Sequence, residues 1–226
     1  MVRLAPAVTA VVAVTLALPA ALPAQIQGEN QVRFRAADIE VTLRFRDTRA
    51  VPLERQIREV MFGAVVHYRR VFDGPPRAMD GTPTMKLTLN VAMDQLAGGD
   101  AQRGVLTVAV GREPAFGFSD WKLTLLHEAF HLWNGETFRY AAPAEQWFHE
   151  GMSEFYAAQT AARLGYLAPL DAVRLAATAV GFYSSANGQD RVSLGQAGQQ
   201  KESHHFLVFH GGWTAALVLD RAIRER

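Results

Sequence analysis

Cysteine is absent from the 226 residues of this chain. Disulfide bonds, thiolate catalysis and cysteine zinc sites are therefore excluded, and so is a lipid anchor that needs a cysteine at the cleavage point. An excess of charge of one sign is also lacking, because 23 Lys and Arg residues are balanced by 22 Asp and Glu residues. Without a basic surplus, we expect no nucleic-acid partner.

Long apolar runs are scarce, and the only extended one opens the chain. The first segment reads MVRLAPAVTAVVAVTLALPAALPAQ, with Arg3 as the only charge before Glu29. A basic start, an apolar middle and a small residue near Ala24 are the layout of a secretory signal peptide. We therefore expect 1–24 to be cleaved and the mature chain, 25–226, to be secreted or periplasmic without a membrane span. An uncleaved N-terminal membrane anchor is the alternative, since the run is nearly long enough to span.

The order of the predicted elements indicates a single α+β domain. Apolar and polar residues alternate as they do in strands in three stretches: 32–45, 84–94 and 104–110. Apolar residues recur at helical spacing in five others: 51–72, 121–134, 144–164, 169–180 and 204–226. The stretch 183–203 is rich in Ser, Gly and Gln and predicts a loop. Strands that come mainly before helices are typical of an α+β fold.

Two histidines lie four residues apart in LTLLHEAFHLWNGETF, which runs from 123 to 138. On a helix, residues i and i+4 share one face, so His127 and His131 point at the same spot and can hold one Zn²⁺. Glu128 lies about 100° further round, where it can reach a water on that metal. This pattern is typical of a zinc hydrolase. The alternative, two ordinary helix histidines, leaves the burial of three polar side chains among apolar neighbours unexplained.

A catalytic zinc usually takes three protein ligands and keeps one position for water. The pattern HExxHxxGxxH would need a histidine at 137, where the chain has Thr137. The segment EQWFHEGMSEFYA instead supplies Glu150, with eighteen residues between it and the second histidine. Glu154 lies one turn further along the same helix face and can accept a hydrogen bond from a ligand histidine. Asn134 either caps its helix or supports the site.

HEAFH, followed after eighteen residues by a Trp-x-x-Glu-Gly segment, resembles the gluzincin metallopeptidases. HEAFHLWN with WFHEGMSEFYA is most similar to the glycyl aminopeptidase family, and GGWTAALVLDRAIR resembles the closing helix of that family. The resemblance covers roughly 119–157 and 205–224. It implies a thermolysin-like zincin domain, in which an N-terminal mixed sheet with helices precedes a mainly helical part that carries the ligands. It also implies one zinc ion with Glu128 as general base and acid, and three zinc ligands: His127, His131 and Glu150.

The closing segment departs from the family in one respect. Where the family has a tyrosine that donates a hydrogen bond to the oxyanion, this chain has Phe209, which has no donor. The nearby residues that can replace it are His210, His205, His204 and Tyr183. We favour His210, because a histidine has this role in the thermolysin-like branch of the same superfamily.

Two functions are compatible with these motifs. The first is an exported zinc metallopeptidase that cleaves a peptide or protein substrate with metal-activated water and Glu128 as the base. The second is a catalytically impaired, zinc-bound module that binds a partner. Two features suggest it: Phe209 in place of the tyrosine, and the lack of the family's accessory domains. Exopeptidase specificity is not supported, since no Gly-x-Met-Glu-Asn-type segment is present to hold a free amine. The strand at 104–110 is a candidate edge strand for an extended peptide, with an ordinary core strand as the alternative.

Overall fold

The computed structural model describes residues 25–26, 30–96, 98–113, 121–139, 141–190 and 192–225. The predicted signal peptide, 1–24, lies outside the described residues. Across the described ranges, no helix is both long enough and apolar enough to cross a membrane.

The N-terminal half forms a mixed β-sheet. Within the described residues it has six strands in the order β1-β2-β3-β4-β6-β5. Their bounds are β1 (Gln25–Ile26), β2 (Gln31–Ala36), β3 (Ile39–Phe45), β4 (Lys86–Leu96), β5 (Gly98–Gln102) and β6 (Val105–Glu113). β3, β4 and β6 run parallel to one another, whereas β1, β2 and β5 pair antiparallel with their neighbours. Leu87, Leu89 and Val91 alternate as buried residues along β4, as the sequence pattern predicts.

The edge of the sheet beside the helices is β5. The strand β6, which includes residues 105–110 of the candidate edge strand, lies between β4 and β5. The prediction that this strand forms the edge was therefore wrong, and the alternative, an ordinary core strand, is confirmed. β5 has the sequence GGDAQ. Glycine and aspartate are depleted in strands, which explains why the sequence pattern does not reveal it.

Helices make up the C-terminal half and one crossover. Their bounds are α1 (Glu54–Val71), α2 (Trp121–His131), α3 (Gln146–Arg163), α4 (Pro169–Asp190), α5 (Leu194–Gln199) and α6 (Gly212–Arg224). α1 buries a stripe at helical spacing that includes Ile57, Met61 and Tyr68. The Tyr68 hydroxyl donates a 3.1 Å hydrogen bond to the Leu126 carbonyl, which ties α1 to α2. The sheet-then-helix order agrees with the predicted α+β architecture.

The predicted loop at 183–203 is largely helical, so that prediction was wrong. α4 continues to Asp190, ten residues beyond its predicted end, and α5 follows it. α5 begins with a capping box in which Ser193 Oγ accepts from the Gln196 amide at 3.2 Å and Gln196 Oε1 accepts from the Ser193 amide at 3.0 Å. These local hydrogen bonds outweigh the weak helix propensity of Ser and Gly.

Candidate metal centre

Three buried side chains from two packed helices converge at one point. His127 and His131 come from α2, and Glu150 comes from α3. The two histidine Nε2 atoms lie 3.0 Å apart, and Oε2 of Glu150 lies 3.3 Å and 3.4 Å from them. All three residues are at least nine-tenths buried. Their ligand atoms are the one group in the described residues that meets the geometry expected for a metal ion.

These three atoms fit a zinc ion. With zinc bonds of about 2.0–2.1 Å to nitrogen or oxygen, the corners of a tetrahedron lie about 3.3 Å apart. The observed separations of 3.0, 3.3 and 3.4 Å are close to that value. A shared cation also explains why two imidazoles and a carboxylate are buried together, since burial of such groups without one is costly. The site opens into a cavity of about 520 Å³.

The tautomer of His131 suits it for metal binding. Its Nδ1 lies 3.2 Å from the Asn134 carbonyl oxygen and 3.1 Å from Ser153 Oγ. Ser153 donates its own proton to the His149 carbonyl at 2.8 Å, so it can only accept from the ring. Nδ1 of His131 therefore carries the hydrogen, and its Nε2 lone pair faces the other two ligands.

Asn134 supports this arrangement through a break in its helix. After α2, the chain makes a π-helical turn over Leu132–Thr137, and Asn134 has the non-helical angles φ −89° and ψ 73°. This turn brings its carbonyl to His131. Its side-chain amide donates a 2.9 Å hydrogen bond to the His149 carbonyl, which links α2 to α3 beside the site.

Glu154 lies where the helix spacing predicts, one turn beyond Glu150. Its Oε1 is 3.5 Å from Nδ1 of His127. Burial raises the pKa of the Glu154 carboxyl well above its ordinary value, and the neighbouring Glu150 and Glu128 raise it further. Burial also acts to raise the pKa of Glu150, but hydrogen bonds from His127 and His131 outweigh it and hold that pKa well below the ordinary value.

Glu128 lines the same cavity as the three candidate ligands. Its side chain lies against Gly99 of the edge strand β5. Burial raises the pKa of the Glu128 carboxyl, while His127 and His131 act to lower it. A carboxyl with a raised pKa beside the metal position is suited to accept a proton and to release it.

The structure does not bring His210 into the cavity. Its ring is buried and stacks on Phe182 and Phe206, with centroid distances of 5.0 Å and 5.8 Å. His205, one of the alternatives for the same role, lines the cavity, and its ring centroid is 4.2 Å from that of Phe209.

The remaining residues named for this role lie in different places. Phe209 itself lines the cavity and stacks on His127 with centroids 6.1 Å apart. Neither His204 nor Tyr183 is among the described residues that line the cavity. The structure therefore brings His205, rather than the favoured His210, to the candidate site.

Three residues of the site have no counterpart in the sequence predictions. Ser153 follows Glu150 by three residues, so helical spacing contains the signal for it. Gly99 lies in β5, whose sequence GGDAQ lacks the residues that are typical of strands. Lys201 lies in the polar stretch after α5, and no periodicity or motif there indicates a contact with α3. Its Nζ donates a 2.6 Å hydrogen bond to Glu150 Oε1.

Comparison with known proteins supports the resemblance that the motifs predict. Residues 121–214, less than half of the chain, match the family model of the M61 glycyl aminopeptidases. That match contains the three candidate ligands, and it confirms the resemblance to the gluzincin metallopeptidases over this segment. No curated protein matches the chain.

Solved structures that are similar to the chain include the following two. One is an aminopeptidase N family protein from Idiomarina loihiensis, with a TM-score of 0.68, 17% sequence identity and 86% of this chain covered. The other is an M1 zinc metallopeptidase from Deinococcus radiodurans, with a TM-score of 0.45, 18% identity and 85% of this chain covered. The chain spans 37% of the length of each. The first of these structures shares the mixed α and β fold of this chain.

Proposed function

We propose that this chain is an exported zinc metallopeptidase that hydrolyses peptide bonds. One observation carries the proposal: Nε2 of His127, Nε2 of His131 and Oε2 of Glu150 converge within 3.4 Å of one another at a cavity that Glu128 also lines. The family match over 121–214 supports it. Export is supported by the signal-peptide pattern of 1–24, and we take 25–226 as one catalytic domain.

The candidate ligands and Glu128 divide the chemistry between them. A zinc ion on His127, His131 and Glu150 would lower the pKa of a water and polarise the scissile carbonyl. Glu128 accepts a proton from the attacking water and returns it to the leaving amine. Glu154 and Asn134 orient the two histidines, because each lies beside the Nδ1 atom of one of them.

His205 is the residue that we propose as the donor to the developing oxyanion. It lines the cavity, whereas His210 stacks on two phenylalanines outside it. Burial, reinforced by the charge of Lys201, lowers the pKa of His205, so its imidazole is neutral near pH 7 and keeps one N–H to donate. Donors aimed at a developing negative charge are among the largest contributions to catalysis.

The substrate of this proposal is a peptide in extended conformation. β5 is the edge strand, and Gly98, Gly99, Asp100 and Ala101 line the cavity. A sheet edge presents backbone N–H and C=O groups that can pair with an added strand. Pairing there would place a peptide alongside Glu128, which lies against Gly99.

Digestion of a mixed peptide library, read by mass spectrometry, tests the proposal. The purified protein, loaded with zinc, is compared with its Glu128→Gln variant, which keeps the ligands and loses the base. We expect cleavage by the parent alone, with equal zinc content in both proteins. Substantial hydrolysis by Glu128→Gln would remove Glu128 from the role of base.

A second function is favoured by one observation, the missing donor at Phe209. A zinc-bound module that binds a partner without turnover would need the metal site and no oxyanion donor. It predicts that the folded, zinc-loaded protein cleaves nothing in the same library. In that outcome, a Phe209→Tyr variant that gains cleavage would identify this position as the defect.

A further inference from the structure

Lys201 is the only described residue lining the cavity that carries a permanent positive charge. Carboxylates are abundant there by comparison. Five of them line the same cavity: Asp94, Asp100, Glu128, Glu150 and Glu154. Lys201 is partly buried, and its Nζ lies 2.6 Å from Oε1 of Glu150, whose side chain is 9% exposed. The lysine therefore binds the one acidic side chain that is a candidate metal ligand.

The two oxygens of Glu150 have different partners. Oε2 lies 3.3 Å and 3.4 Å from the Nε2 atoms of His127 and His131, where a shared ion would sit. Oε1 accepts the hydrogen bond from Lys201. A carboxylate can bind a metal through one oxygen or through both, and the choice follows from what holds the second oxygen.

We propose that Lys201 is a positioning residue of the metal centre. Its ammonium holds Oε1 of Glu150, so that the carboxylate presents Oε2 alone to the ion and leaves the remaining coordination position to water. This inference rests on the proposed function, since it concerns the same metal site. It adds a residue that lies outside every motif in the sequence.

The position of the lysine is fixed by one contact of its side chain and by the packing of the helix that precedes it. Its Nζ lies over the ring of Phe209, 5.2 Å from the centroid, which is within range of a cation–π interaction. It also follows α5, which packs against the start of the segment that leads into α3. At that contact, a Cβ on Gly198 would lie 2.8 Å from the Ala144 carbonyl oxygen, so the backbones touch. Lys201 and Glu150 are thus anchored to the same part of the fold.

Phe209 therefore has a structural role at the site that comparison with the family sequence does not reveal. Its ring stacks on His127 on one side of the site and carries the Lys201 ammonium. An aromatic face attracts a cation, and phenylalanine provides this without a hydroxyl that would compete for Glu150. Phe209, the residue that departs from the family pattern, and Lys201 thus contact each other at the same site.

The test is the zinc affinity of the purified protein, measured by competition with a chromophoric chelator. Lys201→Met removes the charge, Lys201→Arg keeps it, and Lys86→Met is the matched control on β4, away from the cavity. We expect the zinc dissociation constant of Lys201→Met to rise about 10- to 100-fold, as for other residues that orient ligands. Lys201→Arg should recover most of that loss, and Lys86→Met should match the parent.

Unfolding of the metal-free proteins separates positioning from stability. If Lys201→Met folds poorly, Lys201→Gln, which keeps a hydrogen-bond donor without the charge on a side chain one atom shorter, takes its place in the comparison. A zinc dissociation constant within about threefold of the parent for the folded variant would overturn the proposal and leave the contact as an ion pair without a role in metal binding.

The proposed function fails in a different measurement. A zinc-loaded parent protein that cleaves no peptide would contradict the proposed peptidase activity. It would not affect the comparison of zinc affinities between the parent and the Lys201 variants. A parent with no measurable zinc affinity would overturn both, whereas unchanged affinity in Lys201→Met with full peptide cleavage would overturn only the role of Lys201.

Discussion

Gly99 of the edge strand lies directly against the carboxyl group of Glu128 on α2. A Cβ built on Gly99 would be 2.7 Å from both Cδ and Oε1 of that side chain, closer than real Cβ atoms approach other atoms. The general base that we propose therefore depends on the absence of a side chain in the neighbouring strand. The nearest atom is Cγ, in the middle of the Glu128 side chain, so an alanine at this position would displace the whole carboxyl-bearing side chain.

Gly99→Ala should lower kcat/KM by about 100-fold, because a displacement of a catalytic group by about 1 Å has effects of that size. Zinc content should not change, since the three atoms nearest to a Cβ at Gly99 all belong to Glu128 and none to a candidate ligand. The control is Gly74→Ala, because a Cβ at Gly74 has no atom within 4 Å and Gly74 does not line the cavity. Steady-state kinetics on one cleaved peptide measures both variants, and equal activity in the two would contradict the role of this contact.

A second glycine contact sets the position of Glu150. Gly151 follows it on α3 and meets Gly212 at the start of α6. A Cβ on Gly212 would lie 2.8 Å from the Gly151 Cα, and a Cβ on Gly151 would lie 2.5 Å from the Trp213 amide nitrogen. The two helix backbones therefore touch, and neither can yield as a side chain can.

Gly151→Ala should lower the free energy of unfolding by about 2–3 kcal/mol, as overpacking of a tight contact does. Gly181→Ala is the control, since Gly181 lies on α4 with no atom within 4 Å of its built Cβ. Alanine is the better helix former there, so this variant should gain about 0.5–1 kcal/mol. Urea unfolding of the metal-free proteins measures both, and a Gly151→Ala protein as stable as the parent would show that the helices can separate freely.

The ligands could be predicted from the sequence because local geometry determines them. His127 and His131 are one helical turn apart, and Glu150 lies near the start of a second amphipathic helix whose spacing places Glu154 on the same face. Each of these relations lies within one element or follows from a motif of fixed spacing. The structure brings the three side chains together as that spacing requires.

The rest of the site depends on contacts between distant segments. Lys201 reaches Glu150 across 51 positions of sequence, and nothing near either residue encodes that contact. β5 becomes a strand only because β6 pairs with it, despite two glycines and an aspartate in GGDAQ. The sequence favours His210 because a histidine has this role in the thermolysin-like branch, but a π-helical turn over Leu207–Gly211 directs its ring to Phe182 and Phe206.

Removal of the metal should lower stability as well as activity. Zinc that binds the folded state alone stabilises it by about 2.7 kcal/mol at 100 times its dissociation constant. For a chain of this length, we expect the Tm to rise by roughly 5–10 °C when zinc is added to chelator-treated protein. His131→Ala should show no such rise, because one of the three ligands is gone. Differential scanning calorimetry measures both, and equal shifts in the two proteins would place the zinc elsewhere.

Replacement of His205 or His210 by phenylalanine distinguishes the two candidate oxyanion donors. His205→Phe should lose at least about tenfold in kcat with unchanged zinc affinity, because a donor at the cavity is lost. His210→Phe should keep its activity within about twofold, since that ring stacks on Phe182 and Phe206 outside the cavity. The opposite result, with His210→Phe folded and inactive, would restore the role that the sequence favours.

The same His210 variant carries a pH prediction. Burial lowers the pKa of His210 from 6.5 to about 4, with a smaller contribution from His205. The folded state therefore holds the neutral ring, and the unfolded state takes up the proton first as the pH falls. The contribution of this residue to stability is complete above about pH 6.5 and is lost as the pH falls toward 4. We expect the Tm of His210→Phe to fall less than that of the parent between pH 7 and pH 4.5. The difference between the two proteins removes the titration of groups that do not interact with His210, so parallel curves would show that the fold does not lower the pKa of His210.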